Sequence, residues 1–352
     1  MFTEQSLRDH PPLVKAFSGL ESEPFWELLD QMQERYPSYL RQRREHSERQ
    51  RDVGGGRSHD LSFAVRTMLV LTYMRLHIPQ GTVAALFGAT QSDVSRELRR
   101  LLPLVQLCLP CPLVWSVLKQ QQPTDDELGL DCDLLADLHA LEQHEPVVAH
   151  SHLERDALAD GRVLIDATEQ RVSRPSNGER QKALYSGKKK GHTLKTQFVT
   201  DGEHHVVAIS VAVDGSIHDK TLCDDLDTLA RLPDGCEADA DKGYQGLNKQ
   251  VDLVTVLDQA SGESHLVPRL LVKTPYKKPK GDELSEQQLA FNAALSRIRI
   301  RVEHCIGWAK NWAILATRFR CDHSIYTSVM RTICGFVNAQ TYRWQAAKAY
   351  CA

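Results

Sequence analysis

The sequence lacks any long uninterrupted apolar run. Its most apolar stretch, from Phe63 to Ile78, is broken by Arg66, Arg75 and His77, whereas a membrane-spanning helix needs about 18 or more apolar residues. The first residues, MFTEQSLRDHPP, contain no basic segment followed by an apolar one, as a secretory signal would. The sequence therefore predicts no membrane span, no membrane partner and a cytoplasmic location.

Strong charge of one sign is also lacking. The 352 residues contain 43 Lys and Arg against 46 Asp and Glu, a formal net charge of −3, which excludes a histone-like protein and an acidic disordered tail. Nine scattered cysteines without an export signal are interpreted as reduced thiols. Cys108 and Cys111 form a CxxC pair, but no second CxxC or HxxxH follows. Since a zinc site needs four ligands, we expect no zinc.

Lysine and arginine are absent from one internal segment. Residues 120–154 contain nine acidic residues and no Lys or Arg, whereas residues 1–119 and 155–352 have net charges of +2 and +4. At about 100–200 residues per domain, the length suggests two or three domains. We therefore predict an N-terminal helical region (1–57), a second helical domain (58–119), an acidic linker (120–154) and a C-terminal domain (155–352).

The N-terminal region contains a helical pattern followed by a cluster of arginines. Apolar residues recur at helical spacing from Phe25 to Met32. The cluster that follows is either a solvated helix face or an arm that contacts DNA, and the sequence leaves both open. Its members are Arg41, Arg43, Arg44, Arg49 and Arg51.

A helix-turn-helix is predicted within the 58–119 domain. Ala84, Gly88 and Val94 lie at offsets 0, +4 and +10. In that motif a small residue lets two helices approach, glycine takes the turn, and an aliphatic residue fills the angle between them. Side-chain oxygens at helix starts satisfy free backbone N–H groups. The predicted caps of the three successive helices are Asp60, Thr82 and Ser92.

The last helix of this motif is predicted to recognise DNA. Its polar side carries amide, hydroxyl and guanidinium groups, which can contact phosphates and base edges in the major groove. The alternative is a plain helical hairpin with a basic surface. The predicted DNA contacts of this helix are Gln91, Ser92, Ser95, Arg96, Arg99 and Arg100.

The C-terminal domain shows elements in the order of a ribonuclease-H-like fold. Strand-like runs rich in β-branched and aliphatic residues alternate with helical patterns. The predicted strands run from Arg162 to Thr168, Leu194 to Thr200, Val206 to Val213 and Cys236 to Asp241, and the helices from His218 to Ala230, Glu283 to Ile314 and Ser324 to Ala347. The predicted class is α/β: a mixed sheet flanked by helices, preceded by an all-α helix-turn-helix domain.

Three carboxylates are expected to meet in this fold. Its first and fourth strands are neighbours, which would bring Asp166 close to Asp241. A helical wheel places Glu303 at the edge of an apolar stripe, beside Arg299 and Lys310; an ordinary ion pair with Arg299 is the alternative. Converging carboxylates hold two Mg²⁺ ions, about 3.5–4 Å apart, that assist in-line phosphoryl displacement.

Several further polar residues need an assignment. Asp239 points to the same side of its strand as Asp241, and we favour Asp241 as the metal ligand because it stands at the strand end. We expect Asp219 to cap a helix, with support of the metal ligands as the alternative. Cations on a turn and on the Glu303 helix are predicted to contact DNA phosphates. They are Lys188, Lys189, Lys190, Arg299 and Lys310.

These motifs resemble those of bacterial insertion-sequence transposases of the DDE superfamily, in the group related to eukaryotic Harbinger elements. The resemblance covers about residues 61–347. In related transposases the glutamate motif is Tyr-x2-Arg-x3-Glu-x6-Lys; here Arg299, Glu303 and Lys310 hold the last three positions, and Ser296 replaces the tyrosine. The matching segments are LSFAVRTMLVLTYMRLHIPQGTVAALFGATQSDVSREL, LIDATEQRV, YSGKKKGHTLKTQ, DGSIHD, ADKGYQG and RIRIRVEHCIGWAKNW.

The resemblance implies DNA cleavage and strand transfer at the ends of an element. It implies Asp166, Asp241 and Glu303 as catalytic and metal-binding residues, two Mg²⁺ ions for which Mn²⁺ can substitute, and no nucleotide cofactor. The implied partners are double-stranded DNA, as terminal inverted repeats and target, and further copies of the chain in a homodimer or higher oligomer. The implied location is the bacterial cytoplasm, at the nucleoid when DNA is bound. A non-enzymatic DNA-binding regulator and a site-specific nuclease without strand transfer remain alternatives.

Overall fold

The computed structural model describes residues 2–45, 61–117, 161–257 and 264–351. The predicted acidic linker, 120–154, lies outside these ranges, as do Arg49 and Arg51 of the arginine cluster. No helix in the described ranges combines the length and the apolar character needed to cross a bilayer.

The structure describes six helices between residues 4 and 107, and one of them is central. Helix α4 is buried on all sides from Ala64 to Met74, because α2, α5 and α6 pack around it. A helix surrounded in this way needs no polar face, which explains its continuous apolar sequence. The six are α1 (Glu4–Asp9), α2 (Pro11–Ser18), α3 (Ser22–Glu45), α4 (Phe63–Leu76), α5 (Gln80–Phe87) and α6 (Gln91–Leu107).

The helical hairpin of α5 and α6 matches the predicted helix-turn-helix spacing. Gly88 ends α5 in the left-handed conformation, with φ of 67°, which glycine adopts without steric cost. Ala84 and Val94 are both buried, as the three-point pattern predicts. The recognition of DNA by this hairpin stays a prediction.

The starts of α4 and α5 differ from the predicted caps. Ser62 caps α4, with its hydroxyl accepting the N–H of Val65 at 3.4 Å, so the prediction of Asp60 was wrong by two residues. Pro79 stands at the cap position of α5 and makes no side-chain cap hydrogen bond. Thr82 therefore lies inside α5 and caps nothing.

Thr90, not Ser92, caps α6. The Thr90 hydroxyl accepts the backbone N–H of Asp93 at 3.2 Å, and the Asp93 carboxylate accepts the backbone N–H of Thr90 at 2.9 Å. This reciprocal pair satisfies two helix-end donors. Hydrogen bonds from Thr90, with a further one from Arg96, lower the pKa of Asp93 to about 2. Ser92 is consequently left exposed in the first turn.

Removing this cap should have a measurable cost. Thr90→Ala is expected to lower the free energy of unfolding by about 1 kcal/mol, because a backbone donor of α6 loses its acceptor. Urea unfolding of the full chain measures the change. Thr90→Ser is the matched control, since it keeps the hydroxyl. Equal stability of the alanine and serine variants would show that the cap contributes nothing.

A mixed sheet forms the centre of the remaining structure. Its order, β1-β5-β4-β2-β7-β10, fits a ribonuclease-H-like domain and confirms that the predicted first and fourth strands, β2 and β7, are neighbours. Strand β4 runs antiparallel to β2 and β5, whereas the β2–β7 and β7–β10 pairs are parallel. The strands are β1 (Leu113–Trp115), β2 (Arg162–Arg171), β3 (Tyr185–Ser186), β4 (Gly191–Asp201), β5 (Val206–Ser210), β6 (Val213–Asp214), β7 (Glu237–Ala240), β8 (Leu253–Leu257), β9 (Ser264–Pro268) and β10 (Leu271–Lys273).

Helices cover both faces of this sheet. The predicted helix 218–230 ends early, at Asp225, and the predicted helix 283–314 is interrupted after Ala309. Alternate residues of β2 face the two sides: Leu164 packs in one core with Val302, and Ile165 packs in a second core with Leu222. The helices are α7 (Gly178–Leu184), α8 (Asp219–Asp225), α9 (Glu286–Ala309), α10 (Ala313–Ala316) and α11 (Tyr326–Cys351).

The amino-terminal helices and the sheet share one hydrophobic core. Leu7 and Leu101 belong to the same buried cluster as Phe198 of β4 and Ile333 of α11. Strand β1 lies within the predicted helical domain 58–119, yet it pairs in parallel with β5 at the sheet edge. The amino-terminal helices therefore pack against α10 and α11, and residues of the predicted helical domain complete the sheet through β1.

Candidate active site

The two predicted aspartates lie side by side at the centre of the sheet. In the parallel pair of β2 and β7, Ile165 stands opposite Ala240. The next residue of each chain segment is an aspartate, Asp166 within β2 and Asp241 directly after β7. Asp241 then leads into a 3₁₀ turn, Lys242–Tyr244, so its side chain lies at the end of the strand.

Arg299 of α9 bridges these aspartates. Its Nη2 lies 3.5 Å from Asp166 Oδ2, and its Nη1 donates to Asp241 Oδ1 at 3.2 Å. Only 7% of Arg299 is exposed. The structure thus places Arg299, which was predicted to contact DNA, between the two carboxylates inside the site.

Asp166 has a perturbed acidity. Burial raises its pKa to about 6. A 2.8 Å hydrogen bond from the Ala167 N–H and the charge of Arg299 oppose this rise, whereas the carboxylates of Asp241 and Asp219 add to it. Carboxyl groups with a pKa near neutrality are typical of functional sites.

The metal-free protein should therefore lose stability as the pH rises through this range. The pKa of Asp166 is near 3.8 when unfolded and about 6 when folded, so folding favours the protonated form. The contribution is fully present below pH 4 and is lost by pH 7, a change of at most about 3 kcal/mol. Urea unfolding in EDTA would compare the native chain with Asp166→Asn. The expectation is contradicted if the difference in free energy of unfolding, native minus Asp166→Asn, does not decrease as the pH rises from 4.5 to 7.

Asp239 lies within β7, two residues before Asp241. It is fully buried, its Oδ2 is 3.8 Å from Arg162 Nε, and neither carboxylate oxygen has a hydrogen-bond partner among the described residues. Burial raises its pKa. The side chain of Asp241, by contrast, is 40% exposed. This contrast supports Asp241 over Asp239 as the group that can meet a ligand.

Glu303 lies on the exposed side of α9, outside the aspartate pair. Arg299, one turn earlier, contacts Asp166. Lys310, two turns later, also lies near Asp166: burial lowers the pKa of Lys310, and the Asp166 carboxylate opposes that shift. Residues four and seven apart share a helix face, so Glu303 is on the face that borders Asp166. Within the described ranges, however, no three His, Cys, Asp or Glu side chains are close enough to form a metal site.

The donor chemistry nevertheless fits a hard divalent cation. Asp166 and Asp241 present carboxylate oxygens, the ligands that Mg²⁺ prefers. A positive group, the guanidinium of Arg299, already lies between them. These two aspartates would hold the cation, and Glu303 is the candidate on α9 for a further oxygen ligand.

The predicted lysine contacts border the same site. Lys188, Lys189 and Lys190 are exposed in the turn between β3 and β4. After burial, the charge of Lys189 is the next cause that lowers the pKa of Lys310, and Lys188 adds to it. The turn and the end of α9 therefore form one positive surface beside Asp166.

The arginines of α6 are largely engaged within the protein. Gln91, Ser92 and Arg96 are exposed and Ser95 is half-buried, so the polar start of α6 faces solvent. The arginines pair with carboxylates of the chain at 2.6, 3.1 and 2.9 Å: Arg96 with Asp93, Arg99 with Asp322, and Arg100 with Glu97.

The buried Lys195 was not identified from the sequence, and the prediction that Asp219 caps a helix was wrong. Asp219 is the first residue of α8 and does not cap it, because His218 occupies the cap position. Its carboxylate instead accepts a hydrogen bond from Lys195 at 2.8 Å. A single lysine within the otherwise apolar and neutral run from Leu194 to Thr200 was the signal that could have revealed it.

Residues 165–338 match a family model described as DDE superfamily endonuclease. The matched segment begins next to Asp166 and includes Asp241 and Glu303. This segment is therefore similar to the DDE superfamily of endonucleases. The matched segment therefore contains the aspartate pair and Arg299.

A known relative extends this finding. The probable transposase for insertion sequence element IS702 of Microchaete diplosiphon is 32% identical to the chain over 176 residues. The alignment covers 50% of this chain and 56% of the relative, so the chain spans little more than half of that protein's length. No solved structure matches the chain.

Proposed function

We propose that the chain is the transposase of a bacterial insertion sequence, which binds the terminal inverted repeats of its element, cleaves there and joins the ends to target DNA. The observation that supports this most directly is the pairing of Asp166 and Asp241 on adjacent strands of a DDE domain. The relative described as a probable transposase adds support. Dependence on Mg²⁺ and assembly into a dimer or higher oligomer are parts of the proposal.

The acidic pair provides the reaction centre. Asp166 and Asp241 would hold the divalent cation together with Glu303. When bound, such a cation activates water or a 3′-hydroxyl and stabilises the leaving oxygen of an in-line displacement. Arg299 keeps the two aspartates together and offers the remaining donors of its guanidinium to a phosphate that enters the site.

The positive surface beside Asp166 provides the track along which the DNA backbone binds. Lys188, Lys189, Lys190 and Lys310 would neutralise DNA phosphates and so position a scissile bond without reading its sequence. Exposed Gln91, Ser92 and Arg96 at the start of α6 would contact the terminal repeats. In this arrangement the track sets affinity, and α6 sets specificity.

A plasmid assay tests the proposal. The full chain is incubated with Mg²⁺, a target plasmid and a supercoiled plasmid carrying the inverted repeats that flank the coding sequence. Excision with insertion into the target supports a transposase. Nicking without insertion would instead identify a site-specific nuclease. A parallel reaction in EDTA should show no cleavage.

A non-enzymatic DNA-binding regulator is a second candidate. The observation that favours it is the occupation of the space between Asp166 and Asp241 by Arg299, with Glu303 outside the pair. Retarded migration of the repeat DNA, with no cleavage at any Mg²⁺ or Mn²⁺ concentration, would establish this candidate and overturn the transposase proposal.

A further inference from the structure

A buried ion pair lies on the α8 side of the sheet, next to the aspartates. Lys195 of β4 is only 5% exposed. Its Nζ donates to Asp219 Oδ1 at 2.8 Å and to the backbone carbonyl of Ile217, and it lies 3.8 Å from Glu169 Oε1. Movement of Asp219 away from Lys195 would leave a buried charge without its partner, which is costly. Lys195 therefore holds the Asp219 carboxylate in a defined position.

The Asp219 carboxylate touches the turn that follows Asp241. A Cβ atom added at Gly243 would lie 2.8 Å from Asp219 Oδ2 and 3.4 Å from its Cβ. Gly243 is the middle residue of the Lys242–Tyr244 turn, which the Tyr244 N–H closes on the Asp241 carbonyl at 2.9 Å. Asp219 and the Asp241 turn are therefore packed with no room for a side chain between them.

Tyr244 links the same groups electrostatically. Its ring is fully buried, and its hydroxyl has no hydrogen-bond partner among the described residues. Burial raises the pKa of Tyr244 well above its usual value, and the charges of Asp219, Asp166 and Asp241 raise it further. All three carboxylates thus lie around one buried residue of the turn.

We propose that Asp219, anchored by Lys195, is a positioning residue that sets the place of Asp241 relative to Asp166 through its contact with the backbone at Gly243. The inference rests on the proposed use of these two aspartates to hold a divalent cation. Asp219 acts through the turn and does not itself bind the cation. Groups that orient ligands in this way typically change metal affinity by about 10–100-fold when they are altered.

Mn²⁺ binding by the full chain without DNA tests this inference. Electron paramagnetic resonance of free Mn²⁺ gives the affinity, and urea unfolding in EDTA verifies that each variant folds. Gly243→Ala should weaken Mn²⁺ binding about tenfold, because its methyl group displaces the turn from Asp219. Gly178→Ala is the matched control, since nothing lies within 4 Å of its added Cβ, and it should bind as the native chain does.

A double substitution separates positioning from direct ligation. Asp219→Ser keeps an acceptor for Lys195 but vacates the space next to Gly243. Asp219→Ser alone should weaken Mn²⁺ binding, and Gly243→Ala should then cause no further loss, because the group it meets is gone. Asp241→Asn, which alters a proposed ligand, should cause the largest loss of the set.

Two results would overturn the inference. One is native Mn²⁺ affinity in folded Gly243→Ala and Asp219→Ser. The other is a loss in Asp219→Ser as large as in Asp241→Asn, with Gly243→Ala adding its own loss independently, since that pattern identifies Asp219 as a ligand. DNA cleavage is assayed separately, so a native chain that binds Mn²⁺ but leaves DNA intact would refute the transposase proposal and not the positioning role.

Discussion

Asp166→Asn is expected to reduce Mg²⁺-dependent DNA cleavage by about a thousandfold or more. Such a loss corresponds to about 4 kcal/mol of transition-state stabilisation. Asparagine keeps the size of the side chain and can still accept the Ala167 N–H. It removes the negative charge that faces Arg299 and Asp241, and with it the proposed attraction for a divalent cation.

The measurement is the rate of plasmid cleavage at saturating Mg²⁺, with DNA binding followed by gel retardation. Binding should be retained, because Asp166 is beside the positive surface and is not one of the cations that form it. Asp234→Asn is the matched control: this carboxylate is 70% exposed and pairs with Arg269, and it precedes β7, whereas Asp241 follows that strand. Native cleavage rates in Asp166→Asn would eliminate the acidic pair as the reaction centre.

Arg299→Met should destabilise the metal-free chain by about 3–5 kcal/mol near pH 7.5, the usual cost of leaving a buried charge without its partner. The substitution leaves Asp166 and Asp241 facing each other without a cation between them. Mg²⁺ should restore part of the stability, because a bound cation replaces the lost charge. The loss should also shrink below pH 6, where Asp166 takes up a proton.

Urea unfolding with EDTA or with Mg²⁺ measures both effects. Arg301→Met is the control on the same helix: the side chain is half-buried, and no ion pair with either aspartate is observed. If the Arg299→Met loss is the same with and without Mg²⁺, the two aspartates do not form a cation site. If there is no loss at all, the bridge contributes nothing to the fold.

The strands could be predicted from local pattern, and the aspartate pair followed because the order of the elements indicated a ribonuclease-H-like fold, in which the first and fourth strands are neighbours. Runs rich in β-branched and aliphatic residues mark the strands. Once β2 and β7 are neighbours, Asp166 and Asp241 meet by register alone. The Glu303 helix was predicted equally well, since its buried residues Leu295, Val302 and Cys305 follow helical periodicity.

What the sequence could not show depends on partners distant along the chain. A helical wheel places Arg299 at the edge of the apolar stripe but does not reveal the two carboxylates opposite it. Strand β1 is too short to be recognised before its partner β5 is known. The position of Glu303 outside the pair is likewise a property of how α9 packs, which periodicity leaves undetermined.

The prediction of the α6 cap was wrong for a different reason. Thr90 and Asp93 stand three residues apart, a spacing typical of a reciprocal cap. The prediction of Ser92 considered one residue at a time and overlooked this pair. The correct cap was therefore available from local sequence, in contrast to the bridge made by Arg299.

If α6 contacts the terminal repeats as proposed, the core shared between the amino-terminal helices and the sheet restricts how a DNA preference could change. A DNA-binding domain that is joined by a flexible linker can be exchanged as a unit between proteins by recombination. Here α6 packs against α11, and β1 pairs with β5 of the central sheet. A transplanted amino-terminal segment would therefore lack the residues against which its apolar side chains pack. Under the proposal, a new preference would arise by replacement of solvent-facing side chains of α6. The same packing would keep α6 at a constant separation from Asp166 when both contact one DNA molecule.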